Sequence, residues 1–236
     1  FDYNQIELRI LAHFSADRYL VDAFRNNKDI HTETAGILFS GESLFSPAAE
    51  IYKQKDLRRI AKTINFGIIY GMSAYGLSQE LGISVLDADN FIKEYFSKFT
   101  GVKEYIDKTL SAVEKDGFVT TILNRRRYIP EIRSTNKNQK EFAKRAAINM
   151  PIQGSAADLI KIAMNRIYDF FRKEHLKSKM VLQIHDELLF EVFVEEEKKV
   201  FTDVKAIMEN VLKLSVPLKV DVKKGSNYLE MEDVQK

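Results

Sequence analysis

The stretch 180-MVLQIHDELLFEVFV-194 contains two apolar runs of strand length, separated only by His185, Asp186 and Glu187. This pattern predicts a β-hairpin of two buried strands with three polar residues at its tip. The strand backbone would hold the side chain of Asp186 in place while the tip exposes it to solvent, which suits a metal ligand. A polar turn without a function is the alternative, because polar residues are common in turns.

A second acidic residue, Asp2, precedes a helical pattern that runs from Gln5 to Ser15. Because its short apolar and acidic surroundings are typical of a strand end, we expect Asp2 at a strand-to-helix junction. Helical patterns then dominate from about residue 19 to 110. Turn signals interrupt this part at Gly41, Ser46-Pro47, Gly71, Gly82 and Gly101.

The rest of the chain alternates between strand and helix patterns. They predict a basic hairpin over 117–130, a helix over 139–176 with a kink at Pro151, a helix that begins within 195–199, and a strand over 216–222. Since strands are predicted in the outer parts and helices in the middle, the sequence predicts an α+β fold in which a helical subdomain is inserted into a discontinuous domain.

The composition excludes several classes of protein. A chain of 236 residues with 45% hydrophobic and 30% charged residues is typical of a soluble globular protein. The absence of Cys excludes disulfides and thiolate sites. Because no apolar run approaches the roughly 18 residues of a membrane span, no membrane partner is expected. The formal net charge of +2 is too near balance to indicate a nucleic-acid partner by itself.

The predicted helix over 57–70 carries a row of residues that changes in character along its length. Arg58, Lys62, Phe66 and Tyr70 recur every four residues, so they lie along one face over about 18 Å. A nucleoside triphosphate has the same order, with phosphates at one end and a base at the other. Five basic residues and one acidic residue give 53–62 a local charge of +4. The alternative is an amphipathic helix with a solvated basic face and an aromatic edge in the core.

Three motifs occur in order along the chain. Residues 2–9 read DYNQIELR, residues 58–71 read RRIAKTINFGIIYG, and residues 183–187 read QIHDE. They resemble the signature motifs of family A DNA polymerases, the family of bacterial DNA polymerase I. The segments RRRYIP over 125–130 and RAAINMPIQG over 145–154 resemble the same family, so the similarity covers nearly the whole chain.

The resemblance implies template-directed DNA synthesis in the bacterial cytoplasm, in association with the nucleoid. It implies an α+β polymerase palm, an antiparallel sheet with helices, formed by residues 1–27 and 149–236, with an inserted all-α fingers subdomain over 28–148. The thumb and upstream palm of the family are not found in the sequence, which starts without an initiator Met. We therefore expect a monomeric piece of a longer chain, with primer-template DNA and deoxynucleoside triphosphates as partners.

The resemblance also implies a metal site. Asp2 and Asp186, with the backbone carbonyl of Tyr3, would hold two Mg²⁺ ions about 3.5 to 4 Å apart, and Mn²⁺ is a possible substitute. The other roles that it implies fall into three groups, with Lys62 also counted as catalytic. These are nucleotide binding by Arg58, Lys62, Phe66, Tyr70, His31 and Glu7, DNA binding by Gln5, Arg145, Asn149, Gln153 and His185, and an accessory role for Glu187.

Glu7 is an acid close to the predicted metal site that is not expected to be a main ligand. In the family it fills the space of a ribose 2′-hydroxyl, which would exclude ribonucleotides. The alternative is a Glu in the first turn of a helix, where it interacts favourably with the helix dipole.

Two departures from the family pattern stand out: Asn4 replaces the usual Ser, and Tyr228 lies where an aromatic position tends toward Trp. The arginines at 125–127 either face phosphates or form a solvated turn. Two rival functions also stay open, namely a fragment that binds nucleotide without efficient catalysis and a two-metal nuclease.

Overall fold

The computed structural model describes residues 1–39 and 54–234. The turn signals at Gly41 and Ser46-Pro47, and the basic residue Lys53, lie outside the described residues. The chain divides into two compact units: Phe1–Ile10 together with Gln153–Lys236, and Leu11–Ile152. According to their positions along the chain, we call the first the outer unit and the second the inner unit. The palm and fingers boundaries that the resemblance implies stay a prediction.

Helices and strands occur in both units. The described helices are α1 (Ile6–Ser15), α2 (Arg18–Arg25), α3 (Ile30–Phe39), α4 (Gln54–Ile69), α5 (Ala74–Leu81), α6 (Val85–Lys98), α7 (Thr100–Asp116), α8 (Lys137–Lys173) and α9 (Glu197–Glu209). The described strands are β1 (Asp2–Tyr3), β2 (Phe118–Thr120), β3 (Arg126–Tyr128), β4 (Lys179–Ile184), β5 (Glu187–Glu191), β6 (Val220–Asp221), β7 (Lys223–Lys224) and β8 (Glu232–Asp233). The prediction of an α+β fold is therefore confirmed.

The outer unit is built on an antiparallel sheet with the strand order β4-β5-β1-β6. In this sheet Asp2 is the direct partner of Glu187 on one side and of Asp221 on the other. Side chains alternate between the two faces of a strand. Accordingly Tyr3, next to Asp2, is buried while Asp2 is exposed.

The predicted hairpin is confirmed, but its second strand, expected to reach Val194, ends at Glu191, and its turn and its burial also differ from the prediction. His185 and Asp186 form the turn, with His185 in the left-handed region at φ 52°, whereas Glu187 already belongs to β5. The expectation that both strands are buried is wrong. Val181 and Leu182 are each 50% exposed, since β4 is the last strand of the sheet in the described structure.

The predicted strand over 216–222 is much shorter than expected. Alternate residues, Val216, Leu218 and Val220, are buried as in an extended chain. However, β6 spans only two residues, because its partner β1 offers only Asp2 and Tyr3 for pairing. The apolar pattern thus predicted the buried positions correctly, but the predicted strand is longer than the segment that pairs.

The inner unit confirms the helical middle of the chain and the basic hairpin, which is formed by β2 and β3. Part of its core is an apolar cluster around this hairpin. The cluster contains Val113, Val119, Ile129, Ile132, Ala143, Ala147 and Met150. The predicted long helix is also confirmed as α8, which continues through Pro151 and belongs to the inner unit up to Ile152 and to the outer unit from Gln153.

Within residues 1–39 and 54–234, no helix combines the length and the apolar character that a membrane span requires.

Candidate active site

Acidic side chains gather where β1 lies between β5 and β6. The pKa of Asp2 is raised by partial burial of its carboxyl group and then by the negative charges of Asp186, Glu187 and Asp221, although the amino group of Phe1 acts in the opposite direction. Charges of the same sign raise the pKa of a carboxyl group only when they lie close to it. The sheet therefore concentrates negative charge at Asp2, as a site for a divalent cation requires.

Backbone hydrogen bonds connect the two predicted aspartate ligands. The amide of Tyr3 donates to the carbonyl oxygen of Asp186 over 3.2 Å, which ties β1 to the hairpin turn. The turn is further held by the side chain of Gln183, whose Nε2 donates to the carbonyl of His185 over 3.0 Å. Asp2 and Asp186, which are 184 positions apart in sequence, are thus fixed by neighbouring backbone.

Tyr3 anchors β1 in the core. Its ring is 2% exposed, and its hydroxyl donates to the carbonyl of Met208 over 2.8 Å. Burial raises the pKa of the hydroxyl above its ordinary value, so the hydroxyl stays protonated. The strand that carries Asp2 is therefore attached to α9 by a buried side chain.

The donor set fits a hard cation that is shared with substrate. Among the described residues, no group of three or more His, Cys, Asp or Glu side chains is arranged to hold a metal ion. Mg²⁺, however, is commonly held by one or two carboxylates, with substrate phosphates and water as the other ligands. Asp2, Asp186 and the carbonyl of Tyr3 match that requirement by the chemistry of their oxygens.

Arg9 is a buried part of this site that the sequence motifs did not point to. It is 4% exposed, and its guanidinium donates to the carbonyl of Asn4 and to the carbonyl of Pro217, each over 2.7 Å. Asn4 in turn donates through Nδ2 to Oδ2 of Asp221 over 2.8 Å. The signal in the sequence is a charged residue between two core positions, Leu8 and Ile10, in an amphipathic helix.

Gln5 and Glu7 flank the start of α1. Gln5 adopts a left-handed backbone conformation, with φ 54°, where the chain leaves β1. Glu7 lies in the first turn of α1 and is half-buried. Both residues follow Asp2 within five positions.

In the inner unit, α4 carries the row of cationic and aromatic side chains. Arg58 and Lys62 are exposed, and Phe66 is half-buried. The rings of Phe66 and Tyr70 are stacked, with centroids 6.3 Å apart and an angle of 18° between planes. The row thus presents two cations followed by an aromatic pair.

Arg58 is bound by an acid, Asp29, that no sequence pattern indicated. Its Nε and Nη2 donate to the two carboxylate oxygens of Asp29 over 3.1 and 2.8 Å. Partial burial of Asp29 acts against ionisation, but hydrogen bonds from Arg58 and Thr32 hold the pKa of this carboxyl well below its usual range. Arg also binds phosphate in this bidentate geometry, with two hydrogen bonds from the guanidinium to two oxygens.

His31 is placed deeper than a phosphate ligand at the surface would be. The side chain is 2% exposed, its Nδ1 lies 3.1 Å from Nδ2 of Asn65, and its ring centroid is 5.7 Å from that of Phe66. Burial lowers the pKa of His31 to about 4; the negative charge of Asp29 acts against this shift, and the positive charges of Arg58 and Lys62 act with it. The ring is therefore neutral at neutral pH, and it supports Phe66 from the interior.

The predicted DNA-contacting residues Arg145, Asn149 and Gln153 all lie on α8. Arg145 is exposed, and its side chain packs against Gly71 so closely that a Cβ there would lie 3.0 Å from Cγ of Arg145. Gly71 also has φ 62°, so the position favours glycine for two reasons. Within the described part of the chain, Oδ1 of Asn149 is buried without a hydrogen-bond donor.

The hairpin turn and the basic hairpin expose further polar groups. His185, at the tip, is exposed. Arg125, Arg126 and Arg127 are also exposed, and the guanidinium of Arg126 lies 4.6 Å from the ring centroid of Phe118. Both readings of this basic triplet, phosphate contact and solvated turn, agree with this placement.

Comparison with known proteins gives consistent matches. The profile of DNA polymerase family A matches residues 1–230. DNA polymerase I of Caldicellulosiruptor bescii is 49% identical over 229 residues, which is 97% of this chain and 26% of the relative. DNA polymerase I of Bacillus subtilis is 47% identical over 229 residues, again 97% of this chain and 25% of the relative. The chain thus spans about a quarter of the length of these curated relatives.

A solved structure has a similar fold. The POL domain of Pol1 from M. smegmatis, in complex with DNA primer-template and dNTP, aligns with a TM-score of 0.84 and 44% identity. The alignment covers 92% of this chain and 37% of that one.

Proposed function

Because the chain belongs to DNA polymerase family A, we propose that it carries out template-directed DNA synthesis. The reaction is the transfer of a nucleotide from a deoxynucleoside triphosphate to a primer 3′-hydroxyl. A bond forms between the 3′-oxygen and the α-phosphorus, the bond to the β-phosphate oxygen breaks, and pyrophosphate leaves. The observation that carries the proposal is the group of acids around Asp2, which the sheet pairing places beside the turn that holds Asp186.

Asp2, Asp186 and the carbonyl of Tyr3 would hold the two Mg²⁺ ions. When bound, these ions, or Mn²⁺ in their place, would lower the pKa of the primer hydroxyl and stabilise the charge on the leaving pyrophosphate. The protein contributes rigidity, since Asp2 lies between two paired strands and Tyr3 is buried beside it. Glu187, the strand partner of Asp2, serves as an accessory acid.

The row on α4 would bind the triphosphate. Arg58 and Lys62 carry the charges for the phosphates, and Arg58 would exchange the carboxylate of Asp29 for phosphate oxygens. The stacked rings of Phe66 and Tyr70 would pack against the sugar and the base. His31 would reach the phosphates only if its ring became more exposed than the 2% described here.

The remaining predicted roles concern sugar choice and DNA. Glu7 would occupy the space of a 2′-hydroxyl, which leaves a ribonucleotide with a clash and an unpaired polar group. The DNA contacts would read groove features that hardly depend on sequence, as copying requires. The residues proposed for them are Gln5, Arg145, Asn149, Gln153 and His185.

The experiment is primer extension with a labelled primer-template, deoxynucleoside triphosphates and Mg²⁺. It uses the 236-residue chain, and also this chain fused to the remaining polymerase-domain sequence of the C. bescii relative. We expect extension that Asp186→Asn abolishes. Lys62→Ala should lower kcat/KM by roughly one to several powers of ten, because a preorganised cation stabilises a transferring phosphoryl group. Lys93→Ala is the matched control, since Lys93 is an exposed lysine on α6 that pairs with Asp89.

Three outcomes would contradict the proposal. Extension by neither protein would refute polymerase activity. A change in kcat/KM below about twofold for Lys62→Ala would contradict a role of Lys62 in binding the triphosphate. Degradation of DNA without added nucleotides, abolished by Asp186→Asn, would favour a two-metal nuclease instead.

A further inference from the structure

Tyr228 reaches the acidic group from the C-terminal part of the outer unit. Its hydroxyl donates to Oε2 of Glu187 over 3.2 Å, although the two residues are 41 positions apart. Glu187 is the direct strand partner of Asp2. The hydroxyl therefore acts on a carboxylate next to a predicted metal ligand.

The turn that carries Tyr228 is held in place by its own hydrogen bonds. Asn227 precedes the short 3-10 helix Tyr228–Glu230, and its Oδ1 accepts from the amides of Leu229 and Glu230 over 3.0 and 3.2 Å. Its Nδ2 donates to Oε2 of Glu230 over 2.7 Å. The backbone of Tyr228 is thus held in a defined position, even though its side chain is half-exposed.

The strands around this turn add to its rigidity. β7 and β8 pair on either side of it, and Lys224 forms an ion pair of 2.7 Å with Glu197 of α9. Gly225 lies so close to the following chain that a Cβ there would be 2.5 Å from the carbonyl oxygen of Glu230. Any larger residue at 225 would collide with this backbone, so the close approach of the two sides of the loop requires glycine at this position.

Neutral groups donate hydrogen bonds to both acids that flank Asp2, and the cationic guanidinium of Arg9 interacts electrostatically with Asp221. Tyr228 donates to Glu187 on one side, and Asn4 donates to Asp221 on the other. A lysine or arginine in these places would supply positive charge and compete with a divalent cation. A neutral hydroxyl or amide orients the carboxylate and leaves its negative charge available.

We propose that Tyr228 is a positioning residue, whose hydroxyl holds the carboxylate of Glu187 so that Glu187 supports binding of a divalent cation at Asp2 and Asp186. This inference rests on the proposed function, because it needs the metal site described there. Tyr228 acts through Glu187 and does not touch the reacting atoms. Removal of the hydroxyl alone should therefore weaken cation binding, and it should do so only when Glu187 is present.

The test measures binding of Mn²⁺ alone, from the signal of free Mn²⁺ in electron paramagnetic resonance. Tyr228→Phe, Glu187→Gln and the double variant form a cycle, with Asp2→Asn as the reference for loss of the site. Tyr168→Phe is the matched control, because Tyr168 is a half-exposed tyrosine of the same unit, on α8. Thermal unfolding of each variant is recorded in parallel.

We expect Tyr228→Phe to raise the Kd for Mn²⁺ roughly three- to tenfold, toward the low end of the effects of groups that orient metal ligands because the bond is partly solvated. In the Glu187→Gln background the same change should have no further effect, and Tyr168→Phe should match the unaltered chain. Equal Kd values for Tyr228→Phe and the unaltered chain would overturn the inference, as would a Tyr228→Phe effect that persists without Glu187. Equal binding by Asp2→Asn and the unaltered chain would instead overturn the metal site of the proposed function, and the inference with it.

Discussion

Acidification should destabilise the inner unit through His31. Burial lowers the pKa of His31 to about 4 in the folded chain, whereas an unperturbed histidine has a pKa of about 6.5. Between these two values the unfolded chain binds more protons than the folded chain. The contribution of the neutral ring is therefore complete above about pH 6.5 and is lost as the pH falls toward 4.

The size of the effect follows from the pKa difference. One pKa unit corresponds to about 1.4 kcal/mol, so lowering the pH from 7 to 5 should reduce the free energy of unfolding by roughly 2 kcal/mol. The ring is 2% exposed, so screening by solvent reduces this figure little. A protonated ring would also lose Nδ1 as an acceptor for Nδ2 of Asn65.

The assay is urea unfolding at pH 7, 6 and 5, with His31→Gln, which keeps an acceptor for Asn65, beside the unaltered chain. His175→Asn is the control, because His175 is exposed and Asn tolerates its left-handed backbone at φ 53°. The pKa of His31 is measured separately, from the NMR shift of its ring proton. A measured value near 6.5, or the same pH dependence in His31→Gln, would refute the reasoning.

The same NMR signal tests the predicted role of His31. If the ring reaches the phosphates of an incoming nucleotide, inorganic triphosphate should raise its pKa, because negative charge favours the protonated form. A pKa that stays near 4 with triphosphate bound would restrict His31 to supporting Phe66 and Asn65.

Three further predictions concern single side chains. Asp29→Asn should lower the Kd for a deoxynucleoside triphosphate by about two- to fivefold in calorimetry, since an exposed ion pair with Arg58 is worth up to about 1 kcal/mol and Asn still caps α3; an unchanged Kd would show that the pair does not compete with phosphate. Glu7→Ala should raise the ratio of ribonucleotide to deoxynucleotide incorporation in competitive primer extension, because the space for a 2′-hydroxyl opens, and an unchanged ratio would remove Glu7 from this role. Tyr3→Phe should lower the free energy of unfolding by about 1 to 2 kcal/mol in calorimetry, since the buried hydrogen bond from the hydroxyl to the carbonyl of Met208 is lost; no loss would mean that water replaces the hydroxyl.

The sequence was sufficient for features that repeat over several residues. The apolar runs on both sides of Asp186 identify the hairpin, although not the exposure of β4, and the four-residue spacing from Arg58 to Tyr70 identifies a helix and the face that carries the row. The strand β1 could not be bounded in the same way, since two residues are too few to show a period. Its position beside a helix was predicted from the pattern that follows it.

Contacts between distant parts of the chain could not be predicted. The grip of Asp29 on Arg58 spans 29 positions, and the hydrogen bond from Tyr228 to Glu187 spans 41. Each depends on how elements pack, which no local pattern encodes. The burial of His31 has the same origin, because its neighbour Asn65 lies 34 positions away on α4.

The alternation of Tyr3 and Asp2 between the two faces of β1 also makes the pairing register of this strand important. A slip of one residue in the pairing of β1 would turn the carboxylate toward the core and the phenol ring toward water. The buried ring of Tyr3 and its hydrogen bond to Met208 oppose that slip, so they fix the register of the strand that carries Asp2. Insertion of a single residue between Asp2 and Tyr3 would therefore be far more damaging than most substitutions nearby, because the two side chains could then no longer lie on opposite faces with Tyr3 buried.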